Sequence, residues 1–248
     1  MRIPAEYGAP LGRPQLLHDA AELANTVRQL PVAQLMKMMQ VSSVKAEQVY
    51  AMYQQWSTDD SLQAPTIDTF VGDIYSGLQV STWSEADRDY AQEHLLILSG
   101  LYGALRACDG IMPYRMEMAY KLPDGKSLYD YWGTSIASVL SSRTTHILNL
   151  SAVEYTKALL PHVGFPVVTP KFLTVSPKTH EPTFVTVHTK IARGAFARWV
   201  MQRRVENSEG MKRFNELGYR YDATTSTDDE PVFVCDEFQG IGLSVRLT

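Results

Sequence analysis

Long apolar runs are missing from this sequence. The longest, HLLIL at His94–Leu98 and VFVC at Val232–Cys235, stop far short of the roughly 20 residues that cross a bilayer as a helix, so no membrane partner is predicted. A secretory signal is missing too: after Arg2 there is no apolar core, and Pro4, Pro10 and Pro14 break the opening stretch, which predicts a cytoplasmic location. Cysteine is scarce. Cys108 and Cys235 lie in separate segments with no CxxC spacing and no neighbouring His, which predicts two buried, reduced thiols rather than a zinc site, a disulfide or a redox dithiol. The six histidines, His18, His94, His146, His162, His180 and His188, have no HxxxH or HExxH spacing, so no metal and no other cofactor is expected. Net positive charge is also lacking, at −4 overall.

That charge is unevenly spread. Residues 1–140 carry 10 Lys and Arg against 16 Asp and Glu, whereas residues 141–248 carry 13 against 11. Any nucleic-acid contact must therefore use a local patch, because attraction by the whole molecule is absent. At 248 residues and 45% hydrophobic, the chain is long enough to bury a sizeable core.

From Pro14 onward, Leu16, Leu17, Ala20, Leu23, Ala24 and Val27 fall on one face at helical spacing, and Pro31 ends that helix. A second helix is predicted over about 32–39 and a third over about 44–56, capped by Ser42 or Ser43. Residues 14–56 thus read as a helical hairpin region. Ser84 and Asp87 start a further helix, whose stripe of Tyr90, Ala91, His94, Leu95 and Leu98 runs on to Gly100. The second half changes to short β-branched or aromatic runs, THILNL, PVVTPKFLTV, PTFVTVHT, YRYDAT and PVFVCDEF, which predict strands. One helix, over about 190–207, separates the third run from the fourth. With no repeat and no long linker, the prediction is an α+β fold: a single domain over residues 1–248, a mixed or antiparallel sheet with helices, and an N-terminal helix-hairpin-helix-like element.

Five blocks then follow in order: TFVGDIYSGL (Thr69–Leu78), LSGLYGALR (Leu98–Arg106), PYRMEM (Pro113–Met118), LYDYWG (Leu128–Gly133) and NLSAVEY (Asn149–Tyr155), with K-x-ARG and GY after them. In order and spacing this set resembles the YaaA-like peroxide stress family, from about residue 14 to 234. The resemblance implies a cytoplasmic α+β protein that binds DNA, includes a helix-hairpin-helix element, and limits oxidative DNA damage and free iron during peroxide stress. It attaches no firm catalytic activity. The chain departs from the family in two places. The family's opening strand and its SPAK are reduced to Pro4-Ala5-Glu6, with the strand missing before residue 4, and the family's Ser-Asp-Lys turn is replaced by Gln40-Val41-Ser42-Ser43-Val44-Lys45.

Several groups have the chemistry to serve such a function. At the hairpin, Ser42, Ser43, Lys45 and Lys37 beside a helix N-terminus suit a backbone phosphate, although Glu47 would repel it and an ordinary serine-capped corner explains the same residues. Between 190 and 213 stand Lys190, Arg193, Arg198, Arg203, Arg204, Lys212 and Arg213 against Glu206 and Glu209. On an ideal helix Lys190, Arg193 and Arg204 share one face opposite Ala192, Ala195, Phe196 and Trp199, which suits either phosphate or plain solvent. Arg106, Arg115, Glu117, Glu154, Lys190 and Arg193 are the charged members of the motif blocks. They form either a cleft, in which Arg and Lys hold phosphate and a carboxylate moves a proton, or an ion-pair network that orders the fold.

The predicted DNA contacts are thus Ser42, Ser43, Lys45, Arg106, Lys190, Arg193 and Arg204, on duplex or branched DNA. For an enzyme acting on a nucleotide, nucleobase or DNA, the reacting group would lie among Arg115, Glu117, Lys190 and Arg193. The glycines of GDIYSGL and SGLYG match neither GxxxxGK[ST] nor GxGxxG, so close backbone packing is expected of them, and burial of most of Tyr75, Tyr102, Tyr114, Tyr131, Trp132 and Tyr155.

Overall fold

Proline and serine punctuation sets the first three helices. In the computed structural model, which describes Met1, Pro10 and residues 12–241, these are α1 (Leu17–Arg28), α2 (Val32–Met39) and α3 (Ser43–Gln55). α1 buries Ala20, Leu23, Ala24 and Val27, the stripe that the periodicity marks. Ser42 is the cap of α3: its hydroxyl accepts a hydrogen bond from the Lys45 amide. Gln40 ends α2 in the left-handed region, at φ 51°, where glycine would be less strained. The reduced opening strand and Pro4-Ala5-Glu6 lie outside the described residues.

The chain continues through β1 (Ala64–Pro65), α4 (Thr66–Thr69), α5 (Asp73–Leu78) and α6 (Glu85–His94) to β2 (Leu96–Ser99), β3 (Gly103–Arg106) and β4 (Gly110–Ile111). α7 (Leu128–Trp132), α8 (Ser135–Ser141), β5 (Ile147–Leu148), α9 (Val153–Leu159), β6 (Val167–Val168), β7 (Lys171–Val175) and β8 (Pro182–Thr183) come next. Last are α10 (Thr186–Arg203), α11 (Ser208–Met211), β9 (Tyr219–Tyr221) and β10 (Val232–Cys235). The fold is α+β.

Two expected boundaries are corrected. The helix from Ser84 stops at His94, and Leu96–Ser99 instead forms an antiparallel hairpin with Gly103–Arg106, turning through Gly103 at φ 67°. A run of four apolar residues has no period of its own, so the turn beyond it decides between helix and strand. The long helix starts at Thr186, four residues before Lys190, and ends at Arg203. Its first turn contains Thr186, Val187 and Thr189, poor helix formers, yet Thr189 is buried with its hydroxyl donating to the Phe172 carbonyl. Tertiary contacts override propensity here.

The residues gather into two compact units: Met1–Phe70, Ala91–Thr144 and Ala152–Val163 form the first, and Val71–Tyr90, Thr145–Ser151 and Gly164–Thr248 the second. In the first, β1 pairs with β4 and β2 with β3, both antiparallel, over a core that includes Leu23, Leu35, Tyr53, Leu101, Tyr102, Leu105 and Trp132. The Trp132 indole donates to Gly100 O, and the Tyr102 hydroxyl accepts from the Trp56 indole, so these aromatics have partners as well as apolar cover.

In the second unit a mixed sheet has the order β8-β7-β10-β9, with β7 and β10 parallel and the outer pairs antiparallel; β5 and β6 form a separate parallel pair. Phe172 of β7 meets Phe196, Phe214, Tyr219 and Phe233 at ring-centroid distances of 5.4–6.2 Å. Burying each such ring contributes about 1.5–3 kcal/mol. α10 also lies backbone to backbone on α5, where a Cβ at Gly77 would stand 2.0 Å from the Ile191 carbonyl oxygen and one at Gly194 would stand 1.8 Å from that of Ile74. Gly77 and Gly194 come from two of the motif blocks. Their role is the close packing expected of Gly77.

Candidate functional site

The residues predicted for the hairpin lie where α2 gives way to α3. Ser42, Ser43 and Lys45 are exposed on the first turn of α3, with Val44 64% exposed between them, and Lys45 Nζ donates to Gln48. The first amides of a helix lack intrahelical partners, so this turn offers donors for an anion. Lys37 and Glu47 are exposed as well.

The basic stretch of α10 is different from its ideal-helix projection. Lys190 is exposed and Arg193 half-buried, one turn apart. Arg193 Nε is buried with no hydrogen-bond partner, and burial lowers the affinity of its guanidinium for the proton. Arg204 leaves the shared face, because α10 ends at Arg203 and Arg204 turns into the left-handed region at φ 53°. Its guanidinium donates to the Asp87 carboxylate at 3.0 Å, to Ala86 O at 2.9 Å and to Met201 O, and lies 4.3 Å from the Tyr90 ring centroid. That fastening seals the end of α10. Arg198 is bound to Glu216 and Gly77 O, and Lys212 to Glu209. Of the remaining cations of this stretch, Lys190, Arg203 and Arg213 are exposed and Arg193 is half-buried.

In the first unit, Arg106 belongs to a buried network. Asp109, 1% exposed, accepts from Arg106 Nε, the Arg106 amide and the Gln92 side chain, each at 3.0 Å, while Gln92 accepts from the Cys108 amide. Arg106 thus compensates a buried carboxylate. Arg115 reaches Glu117 at 2.9 Å, and its carbonyl accepts from the Tyr53 hydroxyl. Arg115 Nε and the Tyr120 hydroxyl are both buried without a hydrogen bond of good geometry.

Around this pair stand three phenols with raised pKa. Burial is the main cause in each: at Tyr120 the Glu117 carboxylate adds to it and the Arg115 charge opposes it. At Tyr129 the added cause is Glu154, and at Tyr155 it is Glu154 followed by Glu117, Tyr120 and Tyr129. All three remain protonated donors at neutral pH. Sequence reasoning flagged Arg115, Glu117, Glu154 and Tyr155 but missed Tyr120 and Tyr129. Tyr129 had a signal, its place in the LY-x-x-WG block.

Both cysteines are buried thiols outside any disulfide. Burial, then the charges of Asp236 and Glu237, push the Cys235 thiol up to about 11, with a Glu237 backbone hydrogen bond opposing the rise. Thiolate is the reactive form, so Cys235 in the folded protein should react with iodoacetamide at pH 7 at least tenfold more slowly than in denaturant, as read by mass spectrometry. Equal rates would contradict the burial. Among the described residues, no three His, Cys, Asp or Glu side chains are grouped to hold a metal ion, and no helix is long and apolar enough to cross a membrane.

Comparison with known proteins gives the same affiliation as the motif blocks. The family described as peroxide stress protein YaaA matches residues 4–225. A UPF0246 protein of Salinispora tropica is 47% identical over 249 residues, covering 99% of this chain and 94% of that protein. A UPF0246 protein of Roseobacter denitrificans is 35% identical over 240 residues, covering 93% of each. With ordered motifs, a family match over most of its length and relatives that align nearly end to end, the chain belongs to the YaaA peroxide stress protein family.

Proposed function

We propose that this protein binds the DNA phosphate backbone during peroxide stress, limiting oxidative damage to DNA and the load of free iron. The observation that carries the reading is Arg193: a half-buried guanidinium with a buried, unpaired Nε, one turn from exposed Lys190 on a helix held rigidly by its glycine crossing. A buried donor without a partner is costly, and an anion would satisfy it. Arg203 and the hairpin donors Ser42, Ser43 and Lys45 supply further phosphate contacts. Arg106 and Arg204 support the fold that presents them.

With about four phosphates neutralised, log affinity should fall with log salt at a slope of about −3 to −4 for duplex DNA. Fluorescence anisotropy with duplex and branched DNA tests this. Lys190→Glu/Arg193→Glu should weaken binding more than tenfold and flatten the slope by about 2, with little dependence on sequence. Unchanged affinity in a variant with wild-type circular dichroism and Tm would overturn it. The Arg115–Glu117 pair, with the Tyr120 phenol beside it, favours a second reading, an enzyme acting on a nucleotide, nucleobase or DNA. A new product in the same mixtures would identify that activity.

A further inference from the structure

The strand-to-helix junction of the second unit carries an aromatic ring that the fold leaves largely bare. Phe184, between β8 and α10, is 59% exposed and is the most exposed aromatic side chain among the described residues. Phe172, Phe196, Phe214 and Phe233 are buried, as are all four tryptophans. The junction is fixed on both sides, because β8 pairs with β7 through Thr183 and Thr174 and α10 is held by its glycine crossing with α5. A lone exposed apolar side chain needs no explanation by itself. What sets Phe184 apart is the charge beside it.

Thr186 opens α10, and Lys190 and Arg193 follow four and seven residues on, so the three share one helix face. Thr186 and Lys190 are exposed and Arg193 is half-buried. The first turn of α10 holds no acid, and over residues 176–193 Lys178, Lys190 and Arg193 stand against Glu181. Two residues of chain and one helical turn separate Phe184 from Lys190, a Cα span of at most about 13 Å.

A bare ring beside a hydroxyl, an ammonium and a guanidinium fits a polyanion that has flat apolar faces. The amount of apolar surface decides which one. A single aromatic ring covers about 150–250 Å², whereas a stable protein partner takes about 800 Å² from each side, and attachment to lipid grows with the apolar area inserted. Stacking a base needs only the one ring, and it tightens binding by about 5- to 150-fold. In a duplex the bases cover one another's faces, so the base must be unpaired.

We propose that Phe184 is a stacking platform for an unpaired base of single-stranded DNA, whose backbone runs along the Thr186, Lys190 and Arg193 face of α10. The inference rests on the DNA-binding reading for its phosphate contacts and goes beyond it in naming a strand with free bases. A short oligothymidylate and a duplex with the same number of phosphates are titrated against the whole protein by fluorescence anisotropy. Phe184→Ala should weaken oligothymidylate binding at least about fivefold and change duplex binding less than about twofold. Phe184→Leu, apolar but not aromatic, should behave like alanine, and Phe184→Trp should keep the wild-type affinity. Since the native tryptophans are buried, the introduced indole is the one open to acrylamide quenching, and oligothymidylate should shield it. The salt slope should stay the same in all three variants, because no charge is removed. The position is exposed, so each should unfold within about 2 °C of wild type.

Equal oligothymidylate affinity in wild type and Phe184→Ala overturns the platform, and leaves the backbone reading standing where the duplex still binds. Leucine serving as well as phenylalanine overturns stacking in favour of a plain apolar contact. Shielding of the indole that grows with protein concentration in the absence of DNA gives the ring to a second copy of the chain, and shielding by phosphatidylserine vesicles gives it to a lipid surface; either result overturns the proposal. Oligothymidylate binding that depends on Phe184, with no duplex binding, supports the platform and removes duplex DNA as the ligand.

Discussion

Replacing Gly194 by alanine lowers Tm by about 6 °C, although alanine is the better helix former. Propensity favours the substitution by about 1 kcal/mol. Against that stands a Cβ placed 1.8 Å from the Ile74 carbonyl oxygen, 2.8 Å from its carbon and 2.8 Å from the Leu78 nitrogen, all backbone atoms of α5 with no rotamer to escape into. Overpacking of this kind costs about 3 kcal/mol, and a chain of this length loses roughly 2–4 °C per kcal/mol. Gly77→Ala should behave alike, since its Cβ would meet Ile191 O at 2.0 Å. Gly164, with nothing within 4 Å, is the control and should change Tm by less than about 2 °C. Thermal and urea unfolding of the three variants decide the matter. A Gly194→Ala protein as stable as wild type would mean that α5 and α10 do not cross at this distance.

Asp109→Ala destabilises by about 3–5 kcal/mol, the usual cost of removing one member of a buried ion pair. The carboxylate is the common acceptor for Arg106 and Gln92, and the Gln92 amide oxygen fixes the Cys108 amide in turn. The Asp109 carbonyl also accepts from the Thr66 hydroxyl, tying α4 to the same turn. With the carboxylate gone, the charge of Arg106 has no compensation in a site where it is largely buried. Asp109→Asn keeps an acceptor but loses the charge, so it should fall between wild type and alanine. Urea denaturation gives the ordering. A loss below about 1 kcal/mol for alanine would remove the structural role assigned to Arg106 and return it to the phosphate contacts.

How much of this was legible in the sequence depends on the range of the forces involved. α1 to α3 follow from Pro14, Pro31 and Ser42, all local signals, and their limits agree closely with the structure. The glycines of the motif blocks pointed to close packing, and Gly77 of α5 and Gly100 meet backbone carbonyls as that reading requires. Leu96–Ser99 was unreadable as a strand because its identity depends on pairing with Gly103–Arg106. The face shared by Lys190, Arg193 and Arg204 failed at one residue, since nothing local announces that Arg204 will turn left-handed and fold onto Asp87. Arg115, Glu117 and Tyr120 share one short stretch, whereas the approach of Glu154 to Tyr129 and of Glu117 and Tyr120 to Tyr155 is set by the fold and is written in no local window.

In the mixed sheet of the second unit, the inner strand β10 is the last of its four strands along the chain. While the protein is being made, β7 has β8 on one side and a bare hydrogen-bonding edge on the other until residues 232–235 leave the ribosome. Parallel pairing between distant segments forms slowly, and an unpaired apolar edge invites wrong partners. The nascent chain is therefore most vulnerable at Lys171–Val175, the strand whose Phe172 later stands at the centre of the aromatic core.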